Sequence, residues 1–123
     1  MTLTFDTMIA LYVADAAASA RFYETLLERA PIEASPTFAL FALGPATKLG
    51  LWGVDSVRPA AAGVPGAFEI ALSVETPELV DATRAAWGEK NVAILLEPID
   101  LEFGRSFVAA DPDGHRLRVY CVA

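Results

Sequence analysis

The sequence predicts an α+β fold in which one unit, a strand, a helix and three strands, is used twice. Three observations carry this reading. An apolar run of period two stands just ahead of a helical apolar stripe at residues 8–13, and the same arrangement returns at residues 67–74. Leu11-x-Val13 in the first run is matched by Leu72-x-Val74 in the second, a weak internal repeat. Between them, residues 56–66 hold Pro59, Pro65, Gly63, Gly66 and three consecutive alanines without any period, and read as a linker. At 123 residues the chain has the length of about one domain, with a first module of about residues 5–55 and a second of about residues 67–123.

Each element has a local cause. Ile9, Leu11 and Val13 alternate with Met8, Ala10 and Tyr12, as in a strand with two unlike faces. Asp15 is placed to cap a helix whose apolar side is Phe22, Tyr23, Leu26 and Leu27, with Pro31 as its terminator. Residues 37–43 and 48–54 are short apolar runs around Gly44-Pro45 and read as a strand pair. Past the linker, Phe68, Ile70, Leu72 and Val74 alternate against Ala67, Glu69, Ala71 and Ser73. Thr76 caps a second helix and Pro77 opens it; Leu79, Val80, Thr83 and Trp87 form its buried stripe and Gly88 stops it. Residues 91–96, 104–110 and 115–122 supply three closing strands, the last two joined by Asp111-Pro112-Asp113-Gly114.

Composition removes several classes of function. Nine Lys and Arg against sixteen Asp and Glu leave a net charge of −7, the wrong sign for a surface that neutralises phosphates, so nucleic acid is not expected as a partner. No apolar run approaches the roughly 20 residues of a membrane span, so no membrane association is expected either. The first residues lack a basic stretch ahead of an apolar one, which argues against a secretory signal. Cys121 is the one cysteine, an intramolecular disulfide is impossible, and a reducing cytoplasm is the expected compartment.

Strand alternation sorts the remaining side chains onto two faces. With Ile9, Leu11, Val13, Ile70, Leu72, Leu117, Val119 and Cys121 turned to the helices, the opposite faces carry Met8, Ala10, Tyr12, Gly50, Trp52, Glu69, Ala71, Ser73, Arg116, Arg118 and Tyr120. Small residues, one acid, arginines and aromatics suit a concave ligand surface. They equally suit the solvent side of antiparallel sheets.

Tyr12-Val13-x-Asp15, Ser19, Phe22-Tyr23, Leu26-Leu27 and the closing Asp111-Pro112-Asp113-Gly114-His115 resemble the vicinal oxygen chelate superfamily, which holds glyoxalase, extradiol dioxygenases and bleomycin resistance proteins. The resemblance implies two βαβββ modules whose curved mixed sheets surround a cleft, commonly in a homodimer. It places the metal ligands of catalytic relatives at Met8, Gly50, Glu69 and Arg118. Only Glu69 could hold a cation, because an arginine stays protonated and a site needs about three protein ligands. No metal or other cofactor is therefore expected, and His115, just after a turn, reads as an exposed residue.

Leu51-Trp52, Phe103-Gly104-Arg105-Ser106-Phe107 and Asp113-Gly114-His115-x-x-Arg118-Val119 resemble more narrowly the phenazine antibiotic resistance proteins of that superfamily. This implies a non-catalytic protein that sequesters a planar aromatic small molecule, with Trp52, Arg118, Glu69, Phe103, Tyr12, Phe41 and Tyr120 as the ligand-binding residues. Trp52 beside Gly50 would leave an open shelf over the indole for a flat ring. Phe41, Phe38 and Phe107 read as core more than as ligand wall. Arg118 either pairs structurally with Glu69 or is held by it to receive a ligand carboxylate. The alternative is a metal-dependent lyase, isomerase or dioxygenase, which needs further ligands such as acids from residues 97–102 beside Glu69.

Overall fold

The computed structural model describes residues 2–123. They divide into two compact units, Met1–Gly63 and Val64–Ala123, and the division falls inside the linker. The first unit holds β1 (Thr7–Val13), α1 (Ala16–Leu27), β2 (Glu33–Ala34), β3 (Phe38–Gly44) and β4 (Thr47–Gly53). The second holds β5 (Glu69–Ser73), α2 (Pro77–Glu89), β6 (Ala93–Leu101), β7 (Gly104–Ala110) and β8 (Arg116–Val122). Each makes a four-stranded mixed sheet of the same order, β1-β4-β3-β2 and β5-β8-β7-β6, in which the first and last strands pair in parallel. The α+β fold with two βαβββ modules is thus present.

In the first unit the strand period does what it promised. Leu11 and Val13 are buried while Ala10 and Tyr12 are exposed. Asp15 accepts a hydrogen bond from the Ala18 N–H at 3.1 Å and starts α1, which lays Ala16, Ser19, Tyr23 and Leu26 against Phe41, Leu49 and Leu51. Phe22 and Leu27 only flank this face. The helix ends before Pro31, because Glu28 turns left-handed at φ 55°. β2 has only two residues, paired as Glu33↔Leu40 and Ala34↔Ala39, so no apolar run announced it. The linker is partly ordered by packing, since Val57 is fully buried.

In the second unit Thr76 Oγ1 accepts from the Leu79 N–H at 3.2 Å and opens α2. Its buried residues are Val80 and Trp87, and Trp87 meets Phe107 edge-on at 5.4 Å. Leu79 is exposed, and Gly88 lies within the helix, which runs to Glu89. The chain turns at Asn91, whose φ of 62° suits an asparagine. Phe68 stands ahead of β5 and is exposed rather than core-facing. β6 runs past residue 96 to Leu101 and through Pro98, tolerated on an edge strand that has no donor to lose on its open side.

Two arginines clamp α2 to the sheet. Arg105 on β7 donates to Asp81 at 2.8 and 3.0 Å and to Asp100 at 3.0 Å, and Arg84 donates to Glu97 at 2.6 and 2.7 Å. Hydrogen bonds from Arg105 and Arg84 hold the Asp81 and Glu97 carboxyls below their ordinary values. At the tight β6–β7 turn Gly104 has φ 143°, and a Cβ there would overlap the Cys121 carbonyl oxygen on β8. This close approach lets the Ala123 N–H reach the Phe103 carbonyl at 3.0 Å and fixes the turn that carries Phe103.

Gly104→Ala is expected to lower stability by more than about 2 kcal/mol, read as the shift in urea midpoint, because the new methyl group has only backbone to displace. The clamps should also weaken in acid. A carboxyl whose folded pKa is lowered binds fewer protons than in the unfolded chain, so its contribution is complete above the unfolded value and vanishes as pH falls through the lowered one. The urea midpoint should therefore drop as pH enters the carboxylate range, and Asp81→Asn should reduce that drop.

Candidate functional site

Register decides what the second unit shows on the side away from α2. In the β5–β8 ladder Glu69 lies opposite Arg116 and Ala71 opposite Arg118, so Glu69 and Arg118 are diagonal neighbours on one face. A forked contact bridges the diagonal: Arg118 Nε and Nη2 donate to the two Glu69 oxygens at 2.7 and 3.2 Å. Nη1 donates to Ser106 Oγ on β7 at 2.8 Å. The two charged side chains are only 20% and 34% exposed, a setting in which either alone would be costly and the pair is tolerated.

Aromatic residues stand beside this pair. Phe103, at the β6–β7 turn, has its ring 5.9 Å from the Arg118 guanidinium carbon, and its ring meets Tyr120 edge-on at 6.0 Å. A cation over a ring at an exposed site is worth about 0.5–1 kcal/mol. Glu69, Ala71, Phe103, Arg118 and Tyr120 line an open cavity of about 380 Å³, within the roughly 300–1,000 Å³ of small-molecule sites. Four of the seven candidate residues, Glu69, Arg118, Phe103 and Tyr120, are thereby brought together.

The other three lie in the first unit. Tyr12 and Trp52 oppose each other in the β1–β4 ladder, their rings edge-on at 6.3 Å, with Tyr12 exposed and Trp52 half-buried. Gly50 offers no open shelf beside Trp52, because a Cβ there would meet Met8 Sδ at 3.0 Å and the Phe38 ring at 3.2 Å. Those two side chains occupy the room that the glycine leaves. Phe41 is not a ligand wall. It points to the helix side, is fully buried and sits 6.5 Å from Tyr23, so no ligand could reach it without opening the core.

The two units repeat one diagonal with different chemistry. Met8 opposes Lys48 and Ala10 opposes Gly50, just as Glu69 opposes Arg116 and Ala71 opposes Arg118. Phe38 opposes Trp52 as Ser106 opposes Tyr120. One unit therefore fills the place with a thioether and a ring, the other with an ion pair and a hydroxyl. Ser106, quoted in the sequence only as part of a motif, was given no role there, although a serine starting the apolar stretch Phe107 to Ala110 was a signal that something polar must meet it.

Metal chemistry does not fit these places. A thioether, a residue without a side chain, a carboxylate already forked to a guanidinium and the guanidinium itself make no ligand set for a catalytic cation. Among the described residues the close group of three potential ligands is Asp111, Asp113 and His115, with ligand atoms within 4.8 Å of one another. It lies in the turn before β8, where Asp111 Oδ1 accepts the Asp113 and His115 N–H groups at 3.0 and 2.8 Å and closes the turn. His115 is half-buried there rather than exposed. Glu97 and Asp100, considered as partners for Glu69, are instead taken by Arg84 and Arg105.

The geometry has relatives. The phenazine antibiotic resistance protein EhpR of Enterobacter agglomerans is 28% identical over 112 residues, covering 89% of this chain and 85% of that protein. The solution NMR structure of an Agrobacterium tumefaciens protein is 47% identical and superposes with a TM-score of 0.87 over 99% of both chains. Lactoylglutathione lyase from Agrobacterium tumefaciens, 17% identical over 94% of this chain and 91% of its own, shares the fold at a TM-score of 0.76. With residues 7–119, nearly both modules, matching its family model, the chain belongs to the glyoxalase/bleomycin resistance protein/dioxygenase superfamily.

Proposed function

We propose that this chain is a non-catalytic binding protein that sequesters a planar aromatic small molecule, phenazine-like antibiotics being the favoured class, and so serves resistance. The observation that carries this reading is the Arg118 guanidinium, forked by Glu69 and Ser106 and set beside Phe103 and Tyr120 at an open cavity. The likeness to EhpR supports it. A guanidinium has five N–H donors, and three of those on Arg118 are committed. One donor on each Nη remains, and together they can orient a ring nitrogen or carbonyl of a bound ligand.

Catalytic work finds little to use here. Arginine cannot activate water as a metal does. Ser106 is fully buried beneath Arg118, and Cys121 is buried on the helix side, so neither hydroxyl nor thiol is offered to a substrate in the cavity. The contribution expected from the aromatic residues is stacking, worth about 0.5–1.5 kcal/mol per ring beyond area burial. Tyr12, exposed, and Trp52, half-buried, are proposed as ligand-binding residues of the first unit. The protein is further proposed to work in the cytoplasm as a homodimer.

Equilibrium dialysis against phenazine-1-carboxylate should show saturable binding, with the compound recovered chemically unchanged. Phe103→Ala should weaken binding by about fivefold to tenfold, the loss of one stacked ring. Unaltered affinity in Phe103→Ala would move the ligand out of this cavity. Elemental analysis after dialysis is expected to show no stoichiometric Zn, Ni, Mn or Fe; finding it would favour a metal-dependent lyase, isomerase or dioxygenase. Sedimentation at micromolar concentration should give twice the 13.1 kDa chain mass.

A further inference from the structure

The second unit contains four arginines, and three of them are spent. Arg84 is held by Glu97, Arg105 by Asp81 and Asp100, and Arg118 by Glu69. The guanidinium of Arg116 is the exception: it has no acceptor among the described residues, and the residue is exposed. Its place is set by register. Arg116 lies directly opposite Glu69 in the parallel ladder, at the strand spacing of about 4.8 Å, and two residues from Arg118 on the same face of β8, about 7 Å along the strand. It therefore stands beside Glu69, outside the residues that line the cavity.

This placement divides the electrostatics of the cavity between two arginines. Arg118 carries a positive charge that Glu69 balances at contact distance, so its free donors recognise a hydrogen-bond acceptor but bring little net charge. Glu69 cannot offer the same fork to Arg116, because both of its oxygens already accept from Arg118. Among Glu69, Arg116 and Arg118 the balance is thus one positive charge, and it belongs to Arg116. In a chain of net charge −7, that is a local exception to the field an anion meets.

Resting on the binding function proposed above, we infer that Arg116 is the residue that selects ligand charge. It receives an ionised carboxylate carried by the planar aromatic ligand, while Arg118 and the rings recognise the uncharged ring system. A carboxylate placed on Arg118 instead would share one cation with Glu69, and the two anions would repel. Arg116 has an empty fork that a carboxylate can meet with two parallel hydrogen bonds.

The test measures affinity for two probes of one shape, phenazine-1-carboxylate and phenazine-1-carboxamide, by isothermal titration calorimetry on the full chain. Wild type is expected to prefer the carboxylate, and the preference should shrink as salt rises, since the contact is exposed. Arg116→Gln is expected to weaken carboxylate binding by about twofold to fivefold, the upper part of the range for an exposed ion pair, and to leave carboxamide binding unchanged. Arg116→Lys should restore most of the preference. Because Arg116 is exposed and holds no other group, an unchanged thermal melt should accompany both variants. If Arg116→Gln binds the two probes as wild type does, or loses both equally, Arg116 is not the charge selector, although the aromatic site stands. If wild type binds neither probe, the binding function itself falls and this inference with it.

Discussion

An acid and a base that could not be sheltered singly hold one another on the open face of the second sheet, and the character of that face follows from their pairing. Glu69 fixes the Arg118 guanidinium through two of its donors, and Ser106 takes a third. A long, flexible side chain is thereby made into a rigid plate whose remaining donors have a defined direction. Phe103 and Tyr120 then have something fixed to stand beside, and the cavity has one immobile polar edge in otherwise apolar surroundings. Rigid polar groups in an apolar setting recognise ligands well because little ordering remains to be done on binding.

The pairing also shows how one fold can carry different chemistry in its two copies. A βαβββ unit places the same diagonal on the open face of its sheet each time it is used, because the parallel pairing of first and last strands is repeated. What stands on the diagonal is free to vary. Carboxylates and imidazoles there could hold a cation. Here one copy carries Met8 packed over Gly50 and the other carries the ion pair, so the same place in the scaffold holds two different kinds of contact. Similarity of fold to a lyase therefore says little about activity in this chain.

Support for the site comes from parts remote from it. Gly104 brings the start of β7 against the β8 backbone closely enough that only a residue without a side chain fits, and Phe103 is carried by that turn. Arg105 and Arg84 hold α2 against β6 and β7 from the opposite face. The helix side of the sheet is built on apolar packing, with Trp87 against Phe107 and Val80, Leu117 and Val119 buried around them. The open side can afford polar residues because stability is supplied from the other.

Period and capping chemistry are local, and the sequence by itself determined what depends on them. Alternation at Leu11 and Val13 and at Ile70 and Leu72, the caps at Asp15 and Thr76, and the turn at Asp111 identified both modules and sorted most side chains onto their correct faces. Glu69, Arg118 and Tyr120 could be assigned to one face on that basis alone. Where local signals were weak or competed with packing, they failed: β2 has no apolar run, Glu28 ended α1 ahead of Pro31, and Gly88 was carried through within α2. Tertiary structure alone decided that Met8 and Phe38 cover Gly50, that Ser106 joins Glu69 as a partner of Arg118, and that Arg116 has no partner among the described residues. Each of these depends on which residues of different strands come opposite one another, and register is set by the whole sheet rather than by any stretch of the chain.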